Sequence, residues 1–95
     1  MTVGKTKKKG PVQFRWLLEE SGSAEFLTGA SRKFGNSPQR NRFKRVCREA
    51  LRKSSLKDIA GLRLAILARE KTGEKELDGY VRLGIKEIET EYAEY

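Results

Sequence analysis

Residues 38–53 constrain the fold of this chain more tightly than any other stretch. Asn36-Ser37-Pro38 is a strong helix-start signal, with Ser37 as N-cap and Pro38 at the first helical position, where its missing N–H costs nothing. At about 100° per residue, Phe43, Val46, Cys47, Ala50 and Leu51 gather into one narrow sector. The opposite side is basic. Arg40, Lys44, Arg48 and Arg52 recur every four residues, flanked by Arg42, Arg45 and Lys53, with Glu49 as the only acid. Such a helix must lay a thin apolar edge on a core and turn a cationic face outward. A rise of about 6 Å per four residues lies close to the phosphate spacing of a nucleic-acid strand. Guanidinium groups in series suit bidentate contact with phosphate oxygens.

The rest of the chain is read as helical around this element. Pro11 suits a first turn, with Val12, Phe14, Trp16, Leu17 and Leu18 supplying apolar surface as far as Ser21-Gly22. Ser23 is placed to cap a second helix carrying Phe26, Leu27, Ala30 and Phe34, stopped by Gly35 and weakened by Gly29. Ser55 and Asp58 resemble a capping box that opens a helix over about 56–71. Its residues Leu56, Ile59, Leu62, Leu64, Ile66 and Leu67 cover most of a helical circumference, which predicts a central element. Thr72-Gly73 breaks the chain. A last helix over about 74–92 carries Leu77, Val81, Gly84, Ile85, Ile88, Tyr92 and Tyr95 in steps of three and four. Gly84 in that stripe would let another backbone approach closely. No period-two run stands out as a strand. The expected fold is therefore all-α: a bundle of four to five helices with a C-terminal antiparallel helical hairpin and a flexible basic N-terminal arm. Residues 1–10 form that arm and residues 11–95 a single helical domain.

Charge distribution gives the functional direction. The 95-residue chain has a formal net charge of +8, with 14 Lys and Arg against 4 Glu in residues 1–53 and 7 against 9 acids in residues 54–95. A concentrated positive field attracts polyanions, of which nucleic acid is the commonest. The arm adds Lys5, Lys7, Lys8 and Lys9 between two glycines. Gly4-Lys5-Thr6 lacks the upstream glycine and preceding strand of a phosphate-binding loop. Cys47, the single cysteine, excludes an intramolecular disulfide, and the absence of histidine removes the usual general base and a common zinc ligand. Cys47 reads as a core thiol. Glu19 and Glu20 have the spacing of a solvated face rather than of metal ligands, and Ser54-x-x-Lys57 matches an acylating-serine pattern by letters alone. No apolar run approaches membrane-spanning length.

Two alternatives compete for the same residues. Ala30-Ser31-Arg32-Lys33-Phe34-Gly35-Asn36-Ser37-Pro38 looks like the first helix and turn of a helix-turn-helix motif, but the aliphatic positions expected after the turn glycine fall on Asn41 and Lys44. A lengthened turn would restore that geometry and present Gln39, Arg40 and Asn41 to base edges. Phe14, Trp16, Phe34 and Phe43 lie among positive charges in a pattern that suits base stacking, although Phe34 and Phe43 read first as core.

The sequence thus predicts a non-catalytic nucleic-acid-binding protein that contacts the phosphate backbone of RNA or DNA as a small subunit of a larger nucleoprotein complex. The residues expected to carry this are Lys5, Lys7, Lys8, Lys9, Arg32, Lys33, Arg40, Arg42, Lys44, Arg45, Arg48 and Arg52. No metal or cofactor is expected. A protein partner, or self-association, is expected through the C-terminal helix, with no membrane partner and a cytoplasmic location, nuclear in a eukaryote. The alternatives are a helix-turn-helix regulator (repressor or excision factor) and a basic protein–protein adaptor or inhibitor.

Overall fold

A computed structural model describes residues 4–20, 22–71 and 73–92. The chain runs β1 (Lys5–Lys9), β2 (Val12–Leu18), β3 (Glu25–Ala30), α1 (Ser37–Arg52), β4 (Leu62–Ala68) and α2 (Glu74–Tyr92), with a 3-10 turn over Ser55–Asp58. The strands form one mixed sheet in the order β1-β2-β4-β3, with β1–β2 and β2–β4 antiparallel and β3–β4 parallel. The fold is α/β, and the all-α bundle expected from the sequence is overturned.

Each misread segment has a physical reason. In β2 the buried residues are Val12, Phe14 and Trp16, alternating with Gln13 and Arg15; Leu17 and Leu18 at its end blur that period of two. In β4, Leu62, Leu64, Ile66 and Ala68 are buried while Arg63, Ala65 and Leu67 on the other face are half-buried. A strand paired on both edges and apolar on both faces has no helical or alternating signature. Its seven residues between Gly61 and Arg69 suit a strand and are short for a helix. The expected helical hairpin is therefore a strand followed by a helix. Gly10-Pro11, read as a helix start, is a two-residue hairpin loop in which Gly10 has φ of +55°, the conformation that primed hairpin turns require. Lys5–Lys9 forms an edge strand rather than a flexible arm. Tyr95 of the expected C-terminal stripe, with Ser21 and Thr72 at the expected breaks, lies outside the described residues.

Both long helices lie on one face of the sheet. Phe43, Cys47 and Leu51 of α1, and Leu77, Val81, Ile85 and Ile88 of α2, join the inward residues of β2 and β4 in a single core. Phe34, just after β3, packs on Phe43 with ring centroids 5.5 Å apart. The α2 stripe was expected to serve self-association, but its apolar residues are consumed by this intramolecular packing. Within the stripe Gly84 meets a ring and not a backbone: a Cβ there would overlap Phe14 of β2. In an exposed helix, Gly→Ala stabilises by about 1 kcal/mol. Here Gly84→Ala should instead destabilise by about 1–3 kcal/mol through overpacking, read as a lower urea midpoint with unchanged slope; a raised midpoint would mean that Phe14 does not fix the helix on the sheet.

Candidate nucleic-acid interface

The start of α1 is built by local chemistry. Asn36 is the N-cap, one residue earlier than expected, and its side-chain oxygen accepts the Gln39 N–H at 3.0 Å. Gln39 returns the contact by accepting the Asn36 N–H at 2.9 Å, which completes a capping box. Pro38 occupies the first turn as the sequence suggests. The apolar edge of the helix then fixes its rotation, and rotation decides which cations face solvent.

Successive members of a four-residue ladder drift by about 40° around a helix. The Arg40, Lys44, Arg48, Arg52 series therefore does not form one straight face. Arg40 and Lys44 lie half-buried at the flank, whereas Arg48 and Arg52 are exposed together with Arg42 and Arg45. Arg40 is held by a bond from its guanidinium to the Ser37 hydroxyl at 3.2 Å. Arg32 and Lys33 are exposed in the turn closed by the Phe34 N–H on the Ser31 carbonyl, immediately before α1. The structure thus groups the turn cations and the α1 cations on consecutive segments.

The strand lysines are placed differently. Lys5, Lys7 and Lys9 share the helix-covered face of β1 with the β2 residues they pair with. Lys7 and Lys9 both bond Glu87 of α2, at 3.1 and 2.6 Å, and Lys5 pairs with Glu91. The side-chain hydrogen bonds from Lys9 and Lys7 hold the Glu87 carboxyl below the usual carboxylate range. Lys8 points to the opposite, open face of the sheet, where Arg15 also lies. Sequence reasoning missed Arg15; the alternation of Val12, Phe14 and Trp16 is the signal that places it outward. A shallow groove of about 640 Å³ crosses this open face, with Arg15, Leu17, Leu27 and Arg63 in its lining. Arg63 is already engaged by Glu19 and Glu25.

Five described acids elsewhere in the chain are paired with particular cations. Glu87 and Glu91 serve β1, Glu19 and Glu25 serve Arg63, and Asp78 serves Arg82. Among the described residues, no ion pair reaches Lys44, Arg45, Arg48 or Arg52. A positive face of this kind is matched to a polyanion. Cys47 lies in the core, where burial pushes its thiol up to about 12, so it stays protonated near neutral pH. Among the described residues no cluster of His, Cys, Asp or Glu is grouped to hold a metal, and no helix is long and apolar enough to cross a membrane.

A sequence profile of the family described as Ribonuclease P matches residues 2–86. The chain belongs to the ribonuclease P protein family. Solved structures agree on the fold. The chain is similar to the Staphylococcus aureus RNase P protein, in a mutant with defective mRNA degradation activity, with a TM-score of 0.71 at 16% identity over 92% of this chain and 75% of that one. A second structure of the S. aureus RNase P protein gives 0.70 at 20% identity, covering 90% and 80%. The RNase P protein from Thermotoga maritima in complex with 1-(4-fluorophenyl)-2-thiourea gives 0.59 at 19%, covering 92% and 78%. No curated protein sequence matches significantly. Family membership bears out nucleic-acid binding in its coarse form and gives no support to DNA as the ligand. The helix-turn-helix alternative falls with the fold, since β3 occupies the segment where its first helix would lie.

The Glu87 pairs generate a pH prediction. A carboxylate held low in the folded state contributes stability that is full above its unfolded value of about 4.3 and is lost as pH falls through the folded value. Glu87→Gln should therefore flatten the acid limb of the stability curve below about pH 4.3 and speed amide exchange in Lys5–Lys9 at neutral pH. Unchanged exchange in β1 would show that backbone pairing with β2 alone holds the strand.

Proposed function

We propose that this chain is a non-catalytic protein subunit of a ribonuclease P ribonucleoprotein that binds the RNA component along its phosphate backbone. The observation that carries this reading is the positive face of α1, where Arg45, Arg48 and Arg52 have no acid partner among the described residues, while Lys5, Lys7, Lys9, Arg63 and Arg82 are paired with acids. Arg45, Arg48 and Arg52 supply the outward guanidiniums, Arg42 and Lys44 flank them, and Arg32 and Lys33 extend the field past the N-terminus of the helix. Arginine suits this task because its planar fork takes two phosphate oxygens at once and its charge does not titrate. Lys5, Lys7 and Lys9, tied to α2, act in this reading as long-range field more than as direct contacts.

The family name and the solved relatives support RNA over DNA. The open sheet face adds a second surface: Lys8 and Arg15 with exposed Leu27 suit an unpaired stretch of strand better than a duplex, whose bases are stacked away from such a surface. In this reading the RNA performs the cleavage and the protein supplies charge and positioning.

Titration of labelled structured RNA at two salt concentrations tests the proposal. The native protein should bind with affinity that falls steeply with salt, and Arg45→Glu with Arg48→Glu should weaken binding at least tenfold and reduce the slope of log affinity against log salt by about one per lost phosphate contact. Equal affinity and slope in the double variant, with an unchanged melting temperature, would remove α1 from the interface.

A further inference from the structure

A second, open concave feature sits where the C-terminal end of α1 meets the edge of the sheet. A pocket of about 290 Å³ is lined by Phe26, Thr28, Arg48, Leu51, Arg52 and Lys57. Three elements make it: β3 gives Phe26 and Thr28, α1 gives Arg48, Leu51 and Arg52, and the 3-10 turn gives Lys57. Arg48 and Arg52 stand one helical turn apart on the flank that the drift of the ladder carries toward β3. Lys57 reaches the same place from the opposite side, its ammonium fixed at 2.8 Å on the Arg52 carbonyl. That bond neutralises part of the negative end of the α1 dipole and leaves two further ammonium donors.

We propose that this pocket binds the phosphate of a nucleotide, with the sugar or base against Phe26. It rests on the RNA-binding reading of α1 and extends it to a site that is concave and mixed in chemistry, unlike the convex helix face. No acid lines the pocket, so three positive side chains converge without a counter-charge, an arrangement that repels itself until an anion enters. Thr28 is half-buried on the helix-covered side of β3, and among the described residues its hydroxyl has no partner. A hydroxyl beside a cation cluster complements a phosphate or ribose oxygen. Phe26 and Leu51 give the apolar wall that a bare phosphate would not need and a nucleotide would use. Two sources can deliver this ligand: a nucleotide within the bound RNA strand, or a free mononucleotide.

Amide chemical shifts of the full chain, followed during titration with AMP, with inorganic phosphate and with a short single-stranded RNA, test the assignment. Saturable shifts at Thr28 and Lys57 with AMP, weaker ones with inorganic phosphate, and their loss in Lys57→Glu are expected. Lys57→Gln serves as the milder variant, with its melting temperature as the control for folding. If the strand is the source, Lys57→Gln should also weaken RNA affinity about threefold to tenfold and lower the salt slope by about one. Pocket shifts with AMP but unaltered RNA binding in Lys57→Gln would assign the site to free nucleotide. Absence of shifts at Thr28 and Lys57 with all three ligands would overturn the pocket, and would leave the α1 reading intact if Arg45→Glu with Arg48→Glu still weakened RNA binding. If the native chain bound no RNA, the α1 reading would fail, and the AMP titration would still decide the pocket.

Discussion

Parallel pairing of β3 with β4 is the constraint on which the rest of the molecule depends. Parallel neighbours cannot be joined by a tight turn, so the chain must leave the end of β3, travel back the length of the sheet and re-enter at the start of β4. Residues 31–61 make that return, and α1 is its principal span. This crossover packs α1 on the β3 side of the helix-covered face, beside α2, which covers β1 and β2. Phe43, Cys47 and Leu51 must then face the sheet, and the rotation of the helix is settled. The cation pattern is read out from that rotation: a shift of about 100°, equivalent to one residue, would turn Lys44, Arg48 and Arg52 toward the core in one sense and Arg42 in the other.

α2 completes the same layer and sorts the charges. Its apolar stripe covers the β1–β2 side of the core, with Gly84 allowing Phe14 to sit beneath the helix. The flank of α2 that overlooks β1 carries Glu87 and Glu91, so the lysines of the edge strand are paired within the molecule. Edge strands rich in lysine resist pairing with other chains, and here the same residues tie the edge to a helix. Positive charge that a reading of the sequence spreads over the whole first half is thereby divided into a structural share on β1 and an available share on α1 and the preceding turn.

What could be read without the fold follows from this division. α1 and α2 were legible nearly to the residue, because each is apolar on one face only and carries its own start signal or acidic first turn. The strands were not. Val12, Phe14 and Trp16 carry a true period of two, hidden by the two leucines that follow. In β4 the run from Leu62 to Ala68 is apolar on both faces apart from Arg63, and such a run carries no periodicity to separate strand from helix. Segment length and the flanking Gly61 and Arg69 held the remaining information. Most of the candidate site was visible as a cation list. Its geometry was not, since the inward flank of Arg40 and Lys44, the pairing of the β1 lysines and the convergence of Lys57 with Arg48 and Arg52 arise only when distant segments meet.

A small domain that keeps an unbalanced cationic face carries a permanent repulsive term, and its core must offset it. The capping box at Asn36 and Gln39, the three inward residues of α1 and the Phe34–Phe43 contact all act on the helix that bears this charge. They hold α1 on the core while its exposed side disfavours compactness. An anion that binds the folded face and not the unfolded chain removes the repulsion and adds its own binding free energy to folding. Stability and RNA affinity are therefore coupled through the same arginines: substituting Arg45 or Arg48 by a neutral residue relieves the free protein and penalises the complex. A sequence selected for the isolated chain alone would place an acid among these residues four positions apart, as α2 does with Asp78 and Arg82. α1 places Glu49 there alone, and the charge left over is what the helix offers to a partner.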